Sequence, residues 1–580
     1  MRWRKEVVWA CAAVLLMAGC GADDDTGEAA SRGGTTVPGA DGVFNGTNTG
    51  AGGTSPGAPF GNGSSGGVAG GMGSGTPPPL PPEVEVRMDF ERPQASERYV
   101  YAANPVGGTV SIIDAESLTI QTLETGSQPT FLRTLAGTDD AIVLNVGSDD
   151  ASIIRSPDSG ARLSTVDVVD GANAIAVAPD GEHAVVYFDS AFSTAGGGSG
   201  SFQDVTVLSL ADGGDEATDM TVGFRPRDVF FSADGSRGYV VTEDGVSVLD
   251  FEEIEAQGTG IAELISLGAD IDQQSADVSI TPDGRFALAR EPGQSQVRLV
   301  TLADGSIATL DLAELLGADT DDGSDADAGV DLPPTEAVTD LDLSPDGSFA
   351  LAVVREEAAV LRIPVPGGFD DPEAVDIRTI EGELIGSVTI APDAEEALLY
   401  TTAAMVERIT VLPLSGDDEP RTVQLRKAVQ SVSIASDGQT ALIVHTKAEG
   451  DPNQPGITPD AQIDRSFGYS VMNVTDGAVK LQVTPTPPTA FTLVPDGSQV
   501  FVLFRDDATG VREVQKVESR SFLVEPIRLG SPPVSLGAVP QSQRVFVGQE
   551  HPDGRITFID WNTAESRTVT GFELNSRIRD

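Results

Sequence analysis

The sequence predicts an all-β fold: a β-propeller of four-stranded blades with about ten repeat units, preceded by a disordered tether. Three observations predict it. From residue 95 onward, a unit of two apolar strands around a tight turn recurs about every 50 residues. A third and usually a fourth short strand follow each pair. No segment sustains the apolar spacing of a helix; residues 252–264 come nearest, and Gly258 and Gly260 interrupt them.

The first nineteen residues have the organisation of a bacterial export signal. Arg2, Arg4 and Lys5 form a positive start, and the apolar run over residues 7–19 is too short to span a bilayer comfortably. The run ends at Cys20, and the segment is therefore excluded from the fold.

The residues Leu16-Met17-Ala18-Gly19-Cys20 resemble the lipobox of bacterial lipoproteins, with Met17 where leucine is usual. The resemblance implies that a signal peptidase cuts the chain before Cys20 and that this cysteine carries two acyl chains. Two acyl chains suffice for stable anchoring. Gly21, where inner-membrane lipoproteins have aspartate, implies anchoring in the outer membrane, facing either the periplasm or the outside. An ordinary secretory signal is the alternative.

Residues 20–83 are rich in Gly, Ser, Thr, Pro and Asn and contain few large apolar side chains. Such a segment cannot bury enough surface to offset its ordering entropy, so we expect a disordered tether. Residues 84–580 are assigned to the propeller.

The repeated turn identifies the blades. Proline pre-sets φ, aspartate bonds its own backbone and glycine accepts a positive φ, which suits a tight hairpin. The turns are Pro179-Asp180-Gly181, Ala233-Asp234-Gly235, Pro282-Asp283-Gly284, Pro345-Asp346-Gly347, Pro392-Asp393-Ala394, Ser436-Asp437-Gly438 and Pro495-Asp496-Gly497, with weaker copies at Thr138-Asp139-Asp140 and Pro540-Gln541-Ser542.

With a first unit beginning at Arg98, these turns give about ten blades, arranged as one large ring or, alternatively, as two propellers. The first unit has no clear innermost strand. We expect residues 84–90 or 572–574 to supply it and close the ring.

The segment Arg98-Tyr99-Val100-Tyr101-Ala102-Ala103-Asn104, followed by apolar residues 109–114, resembles the YVTN-type repeats of bacterial surface and lactonase-like β-propellers. The resemblance covers about residues 95–571 and implies the fold. It implies no particular chemistry, because these repeats are a scaffold.

Composition narrows the classes of partner. The net charge of −53 disfavours nucleic acids and anionic lipid head groups, and suits basic partners or divalent cations.

Cys11 lies in the export signal, so no cysteine pair remains after cleavage and stability must come from packing and strand pairing.

The residues needed for catalysis are few. His183 and His445 lie in second strands of different blades, and His551 lies in a turn, so no histidine cluster for zinc or copper is expected. No Ser and His are paired by their spacing in the sequence, so nucleophilic catalysis also lacks its parts. We expect no catalytic site.

Two groups of aspartates suggest calcium. The fifth residue before the turn proline position is Asp228, Asp277 and Asp340 in three consecutive units, which places these carboxylates near one mouth of the channel. The insert before the third unit contains Asp319, Asp321 and Asp325. Clustered carboxylates suit a hard cation. The alternative is that these residues bond strand ends and form a solvated loop.

Three long insertions fall on one side of the predicted propeller. Residues 191–203 and 447–467 join second to third strands, and the insert 318–334 joins one blade to the next. Both kinds of connection emerge on the same face, whereas the loops 251–262 and 366–374 go to the opposite face. Neutral drift of tolerated insertions is the alternative.

These observations favour an outer-membrane lipoprotein that presents a non-enzymatic propeller to protein or polysaccharide partners of the envelope. The alternatives are a lactonase-like or quinone-dependent propeller enzyme and a calcium-stabilised structural protein.

Overall fold

The computed structural model describes residues 42–43, 84–85, 90–155, 157–191, 200–211, 214–268, 276–317, 337–416, 418–572 and 578–579. The export signal, Cys20 and all of the predicted tether except Gly42–Val43 lie outside these residues.

The described chain forms ten antiparallel blades of four strands each, in chain order, with one short strand between the third and fourth strands of the fourth blade pairing elsewhere. We number these blades 1 to 10 in chain order and give the strands of each from the propeller axis outward. The strands of the first five blades are Gln94–Ala95, Tyr99–Asn104, Thr109–Asp114 and Ile120–Glu124; Pro129–Thr134, Ala141–Asn145, Asp150–Arg155 and Arg162–Asp167; Ala174–Val177, His183–Tyr187, Asp204–Ser209 and Glu216–Thr221; Asp228–Phe231, Arg237–Thr242, Gly245–Asp250 and Glu263–Ile265; Asp277–Ile280, Phe286–Arg290, Gln296–Thr301 and Ile307–Asp311.

The strands of the other five blades are Val338–Leu343, Phe349–Val354, Ala359–Pro364 and Asp376–Thr379; Ser387–Ile390, Glu396–Tyr400, Arg408–Pro413 and Arg421–Gln424; Val429–Ile434, Thr440–His445, Phe467–Asn473 and Val479–Thr484; Pro488–Leu493, Gln499–Asp506, Val511–Glu518 and Val524–Arg528; Pro533–Val539, Arg544–Gln549, Arg555–Asp560 and Ser566–Thr570. Gly260–Ile261 adds a short parallel strand to the outer edge of blade 3.

The position of each strand explains its sequence pattern. The second and third strands are covered by a neighbouring blade on each side, so Tyr99–Asn104 and Thr109–Asp114 are buried along their whole length. The outer strand Ile120–Glu124 alternates between exposed and half-buried residues. Continuous apolar runs and alternating runs therefore mark different positions in one blade.

The repeated turns have the geometry that their residues predict. The Asp180 carboxylate accepts a bond from the Glu182 N–H at 2.9 Å, and Asp496 accepts one from Ser498 at 3.1 Å. Gly497 has a φ of 64°, and Ala394, which replaces glycine in blade 7, also has a positive φ of 55°.

Each glycine turn also packs against the turn of the preceding blade. A Cβ atom added to Gly235 would collide with the Asp180 carboxylate, and one added to Gly497 would collide with Asp437. Glycine is therefore required there both by its backbone conformation and by the close approach of the neighbouring blade.

The ten blades form one ring. A separate apolar cluster joins each consecutive pair of blades. A further cluster packs Val100 and Ala102 of blade 1 against Phe546 and Phe558 of blade 10. Since this last cluster closes the circle, the arrangement as a single large ring is confirmed, and the alternative of two propellers is wrong.

The expected source of the innermost strand of blade 1 is wrong. Gln94–Ala95 supplies it, pairing with Tyr101 and Val100. Phe90 and Phe572 instead meet edge to face, with ring centres 5.1 Å apart, in the cluster that closes the ring. Val84–Glu85 pairs with Ile578–Arg579 as a separate two-stranded sheet.

Helices are short and lie in the connections between strands. The α-helices are Phe251–Gln257, Leu312–Leu315, Gly367–Asp370 and Pro459–Asp464, and the 3-10 turns are Pro157–Ser159, Pro372–Ala374 and Pro540–Ser542. Asp250 caps Phe251–Gln257 by accepting the Glu253 N–H, and Gly258 ends it with a φ of 80°. This helix occupies the segment that came nearest to a helical pattern in the sequence.

Candidate functional site

The connections define two faces of the ring. Connections from second to third strands, and from one blade to the next, emerge on one face, which we name the loop-rich face. It carries residues 188–191 and 200–203 of blade 3 and the connection 446–466 of blade 8. The opposite face carries the repeated Asp-Gly turns, and we name it the short-turn face. The acidic insert 318–334, predicted for the loop-rich face, lies outside the described residues.

The loop 446–466 of blade 8 is held by its own hydrogen bonds. It contains the helix Pro459–Asp464, whose first turn is capped by the Thr458 hydroxyl accepting the Ala461 N–H at 3.2 Å. The Ala448 N–H donates to the carbonyl of Asp464 at 2.8 Å, which closes the base of the loop. These bonds give the insertion a defined shape.

A buried lysine anchors this loop to the blade. Lys427 is 1% exposed, and its ammonium donates to the carbonyls of Ile463 and Asp464 at 2.8 and 2.9 Å. These carbonyls end the helix, where a positive charge is favoured. Burial lowers the pKa of Lys427 and outweighs the nearby charges of Asp464 and Glu407. The burial of Lys427 could not be predicted from the sequence, because nothing in its neighbourhood marks a lysine as buried.

A second feature of the loop-rich face is an aromatic group at the junction of blades 3 and 4, formed by Phe188, Phe202 and Phe224. The ring centres of Phe188 and Phe202 lie 5.5 Å apart, and those of Phe202 and Phe224 lie 6.0 Å apart. The Arg225 guanidinium lies 5.1 Å from the Phe224 ring centre and pairs with Glu243 at 3.1 Å. Phe224 is 37% exposed, so the group presents an aromatic surface with a charged rim.

The backbone around the aromatic group is fixed on both sides. Arg225 has a φ of 53°, which is unusual for a residue with a side chain. Its N–H donates to the Phe202 carbonyl at 2.7 Å, and the Phe224 N–H donates to the Asp244 carboxylate at 2.8 Å. The exposed ring is therefore held in place before any partner arrives.

The structure places the three predicted inner-strand aspartates in different surroundings. Asp277 pairs with Arg290 of the same blade, with 3.1 Å between Oδ2 and Nη2. Arg290 is only 3% exposed and also donates to the Val338 carbonyl of blade 6 at 3.2 Å. Asp228 lies beside Tyr187 of blade 3, and its charge adds to the burial that raises the pKa of that phenol.

Asp340 bonds backbone groups, one of them in the next blade. Its carboxylate accepts from the Leu341 N–H at 3.0 Å and from the Val388 N–H of blade 7 at 2.9 Å. Burial raises the pKa of Asp340; Arg290 opposes this effect and Asp277 adds to it. The charges of Asp277 and Arg290 therefore act on Asp340 in opposite directions.

Asp342, two residues further along the same strand, repeats the arrangement. Its Oδ2 accepts from the Ile390 N–H of blade 7 at 2.8 Å. Burial raises the pKa of Asp342 to about 7; the bond from Ile390 lowers it, and the charge of Asp340 raises it. Asp342 was not among the predicted site residues, although its spacing from Asp340 puts both side chains on one face of the strand.

The calcium prediction stays a prediction. Asp319, Asp321 and Asp325 lie outside the described residues. Within the described ranges, no group of three or more His, Cys, Asp or Glu side chains is arranged to hold a metal ion.

The structure pairs a serine with a histidine, which the sequence spacing did not predict. Ser470 donates its hydroxyl to His445 Nε2 at 2.7 Å, and His445 Nδ1 lies 3.1 Å from the Ala428 carbonyl. The two side chains are 1% and 2% exposed, and burial lowers the pKa of His445 to about 4. Because both side chains are buried, a substrate cannot reach this pair in the folded protein.

Other blades use the same position structurally. Asn145, also the last residue of a second strand, donates to Ser152 at 2.9 Å, and Gln549 donates to Thr557 at 2.6 Å. In both of these blades the polar side chain ties the second strand to a hydroxyl of the third. In blade 8, the hydrogen bond between His445 and Ser470 links the second and third strands in the same way.

The other histidines lie in the predicted positions. His183 begins the second strand of blade 3, stacks on Phe251 with ring centres 4.3 Å apart, and lies 3.2 Å from Glu255. His551 lies in the connection before the strand Arg555–Asp560.

No protein-family model and no curated protein matches the chain. Solved structures that it resembles include the dihydro-heme d1 dehydrogenase NirN in complex with DHE, at 14% identity over 64% of this chain and 71% of that chain, with a TM-score of 0.38. A eukaryotic initiation factor matches at 12% identity over 73% and 94%, with a TM-score of 0.45. Kuenenia stuttgartiensis hydrazine synthase matches at 17% identity over 59% and 100%, with a TM-score of 0.28.

These TM-scores are too low for the three likenesses to carry an argument about this chain. The YVTN resemblance stays a prediction, and the propeller fold rests on the strand order and packing described above. Among the described residues, no helix has the length and apolar character needed to cross a membrane.

Proposed function

We propose that this chain is an outer-membrane lipoprotein whose propeller binds a protein or polysaccharide of the cell envelope through its loop-rich face. The observation that carries the proposal is the anchoring of loop 446–466 by Lys427. Burying an ammonium group is costly unless its bonds are made, and the bonds of Lys427 go to this loop. The loop is therefore held as a shaped surface.

The aromatic group supports the same face. Phe224 is exposed, its backbone is fixed, and the rim formed by Arg225 and Glu243 offers both a donor and an acceptor. Rigid aromatic side chains surrounded by polar groups are the usual anchors of binding surfaces. The net charge of −53 favours a neutral or basic partner over a polyanion.

Photo-crosslinking in intact cells tests the proposal. In one variant, a photoreactive phenylalanine analogue replaces Phe224 on the loop-rich face. In a matched variant, it replaces Leu523, which is 67% exposed in a connection on the short-turn face. The proposal predicts a discrete adduct from position 224 and none from position 523. Adducts from position 523 alone, or from neither position, would contradict it.

A lactonase-like or quinone-dependent enzyme is the second candidate, favoured by the convergence of Arg290, at the end of a second strand, with Asp277 and Asp340 on inner strands. Against it, Arg290 is almost fully buried and the Asp340 oxygens accept backbone bonds. Turnover of lactones by the purified protein, abolished by Asp277→Asn, would support this candidate. Turnover that persists in the variant would exclude this site.

A further inference from the structure

The inner strand of every blade has one edge turned toward the propeller axis. Its other edge pairs with the second strand. A strand edge carries N–H and C=O groups that can bond another chain segment. In blade 7 the side chains of Asp340 and Asp342 occupy part of this edge by accepting the N–H groups of Val388 and Ile390. The edge facing the axis is thus used for bonding in this ring.

In blade 9 a strand from the N-terminal tether occupies the edge. Gly42–Val43 pairs antiparallel with the inner strand Pro488–Leu493, with Gly42 opposite Phe491 and Val43 opposite Ala490. Blade 9 thereby becomes a five-stranded sheet whose innermost strand comes from a segment more than 400 positions away in the sequence.

The tether sequence singles out this segment. Between residues 21 and 83, Val43 and Phe44 are the only large apolar residues that are adjacent in the chain. β-Branched and aromatic residues favour strands, whereas the surrounding Gly, Ser, Thr and Asn do not favour burial. The strand-forming residues of the tether therefore overlap the paired position at Val43.

We infer that the tether docks inside the central channel through residues 42–43, as an added strand of blade 9. The inner strand Pro488–Leu493 runs from the loop-rich face to the short-turn face. Because the pairing is antiparallel, the tether runs the other way and leaves toward the loop-rich face, where residue 90 leads into blade 1. The direction of the docked strand thus agrees with the continuation of the chain.

This path orients the propeller relative to a membrane. Because the docked strand begins at the short-turn face, an anchor at Cys20, earlier in the chain, holds that face toward the bilayer and turns the loop-rich face away. The orientation rests on the proposed lipid anchor, whereas the strand pairing does not, so the two can fail separately.

Disulfide trapping tests the pairing, because the chain has only Cys11 and Cys20 and both can be replaced by serine. In that background, Val43→Cys is combined with Ala490→Cys. Directly opposed residues of an antiparallel pair have Cα atoms within reach of a disulfide. The expected result is an intramolecular crosslink, seen as faster migration on a non-reducing gel and reversed by reductant.

The matched control combines Ala490→Cys with Val68→Cys, another tether valine. A second pair, Gly42→Cys with Phe491→Cys, tests the same register and guards against a local folding defect in the first pair. Crosslinking of both register pairs at several times the yield of the control supports the inference. Yields equal to the control, or crosslinked dimers in place of the intramolecular species, would overturn it.

Discussion

The carboxylate of Asp342 in blade 6 accepts the backbone N–H of Ile390 in blade 7 at 2.8 Å. This bond joins two blades at the edge that faces the axis. It also places an acidic group whose pKa is raised to about 7 at an interface on which the ring depends.

The stability of the ring should therefore fall as pH rises through neutrality. The pKa of Asp342 is higher in the folded protein than in an unfolded chain, so its stabilising contribution is full below the unfolded pKa and is lost as pH rises through about 7. Asp342→Asn keeps an acceptor for Ile390 and cannot ionise. Raising the pH from about 5.5 to about 8.5 should lower the unfolding free energy of both proteins. We expect this decrease to be smaller in the variant than in the native chain, by at least about 1 kcal/mol.

Urea unfolding at the two pH values measures this difference. Asp460→Asn, an exposed change in the loop helix, is the control and should leave the native pH dependence unchanged. Equal pH dependence in the native chain and Asp342→Asn would show that this carboxyl does not titrate as described.

The loop 446–466 should depend on Lys427 for its shape. Lys427→Met fills a similar volume but leaves the Ile463 and Asp464 carbonyls without their donor, at a cost of about 2 kcal/mol. Hydrogen exchange of the loop amides should accelerate in this variant, whereas the exposed change Lys480→Met should have no effect there. Unaltered exchange in Lys427→Met would mean that the loop holds its shape without the lysine.

The turn glycines offer a test of blade packing. Gly497 and Gly510 both have a positive φ, at 64° and 74°, but only Gly497 packs against a carboxylate of the preceding blade, that of Asp437. Alanine at either position meets the same backbone strain, and at position 497 it also meets this neighbour. Gly497→Ala should therefore lower the unfolding free energy by at least about 1 kcal/mol more than Gly510→Ala. Equal losses in thermal or urea unfolding would argue against the close turn-to-turn contact.

The blades could be predicted from the sequence because each is local: an apolar strand, a turn with defined chemistry and a second strand. The same locality explains what was missed. Gln94–Ala95 is too short to show a pattern. The bond from Ile390 to Asp342 depends on how two blades pack, and the burial of Lys427 depends on a loop whose conformation the sequence does not reveal.

The predicted calcium site remains open to a direct test on the native chain. If Asp228, Asp277, Asp340 and the insert aspartates bind calcium, millimolar calcium should raise the melting temperature relative to chelator, because a ligand that binds only the folded state stabilises it. Combined Asp319→Asn, Asp321→Asn and Asp325→Asn changes should abolish the rise. A melting temperature that does not respond to calcium would end the hypothesis.

The lipid anchor is tested by a matched pair of cysteine changes. Cys20→Ser should release the protein from the membrane fraction, because the acylated side chain is lost. Cys11→Ser, within the export signal, should leave the protein in that fraction. Retention of Cys20→Ser in membranes would show that something other than this cysteine holds the protein there.

The ring itself can be observed most directly by cryo-electron microscopy of the purified chain. Class averages viewed along the axis should show one ring of ten blades, and side views should show the loop 446–466 of blade 8 on the face opposite the helix Phe251–Gln257 of blade 4. Two smaller rings, or a ring with a different number of blades, would contradict the account of the fold and of the face proposed to bind.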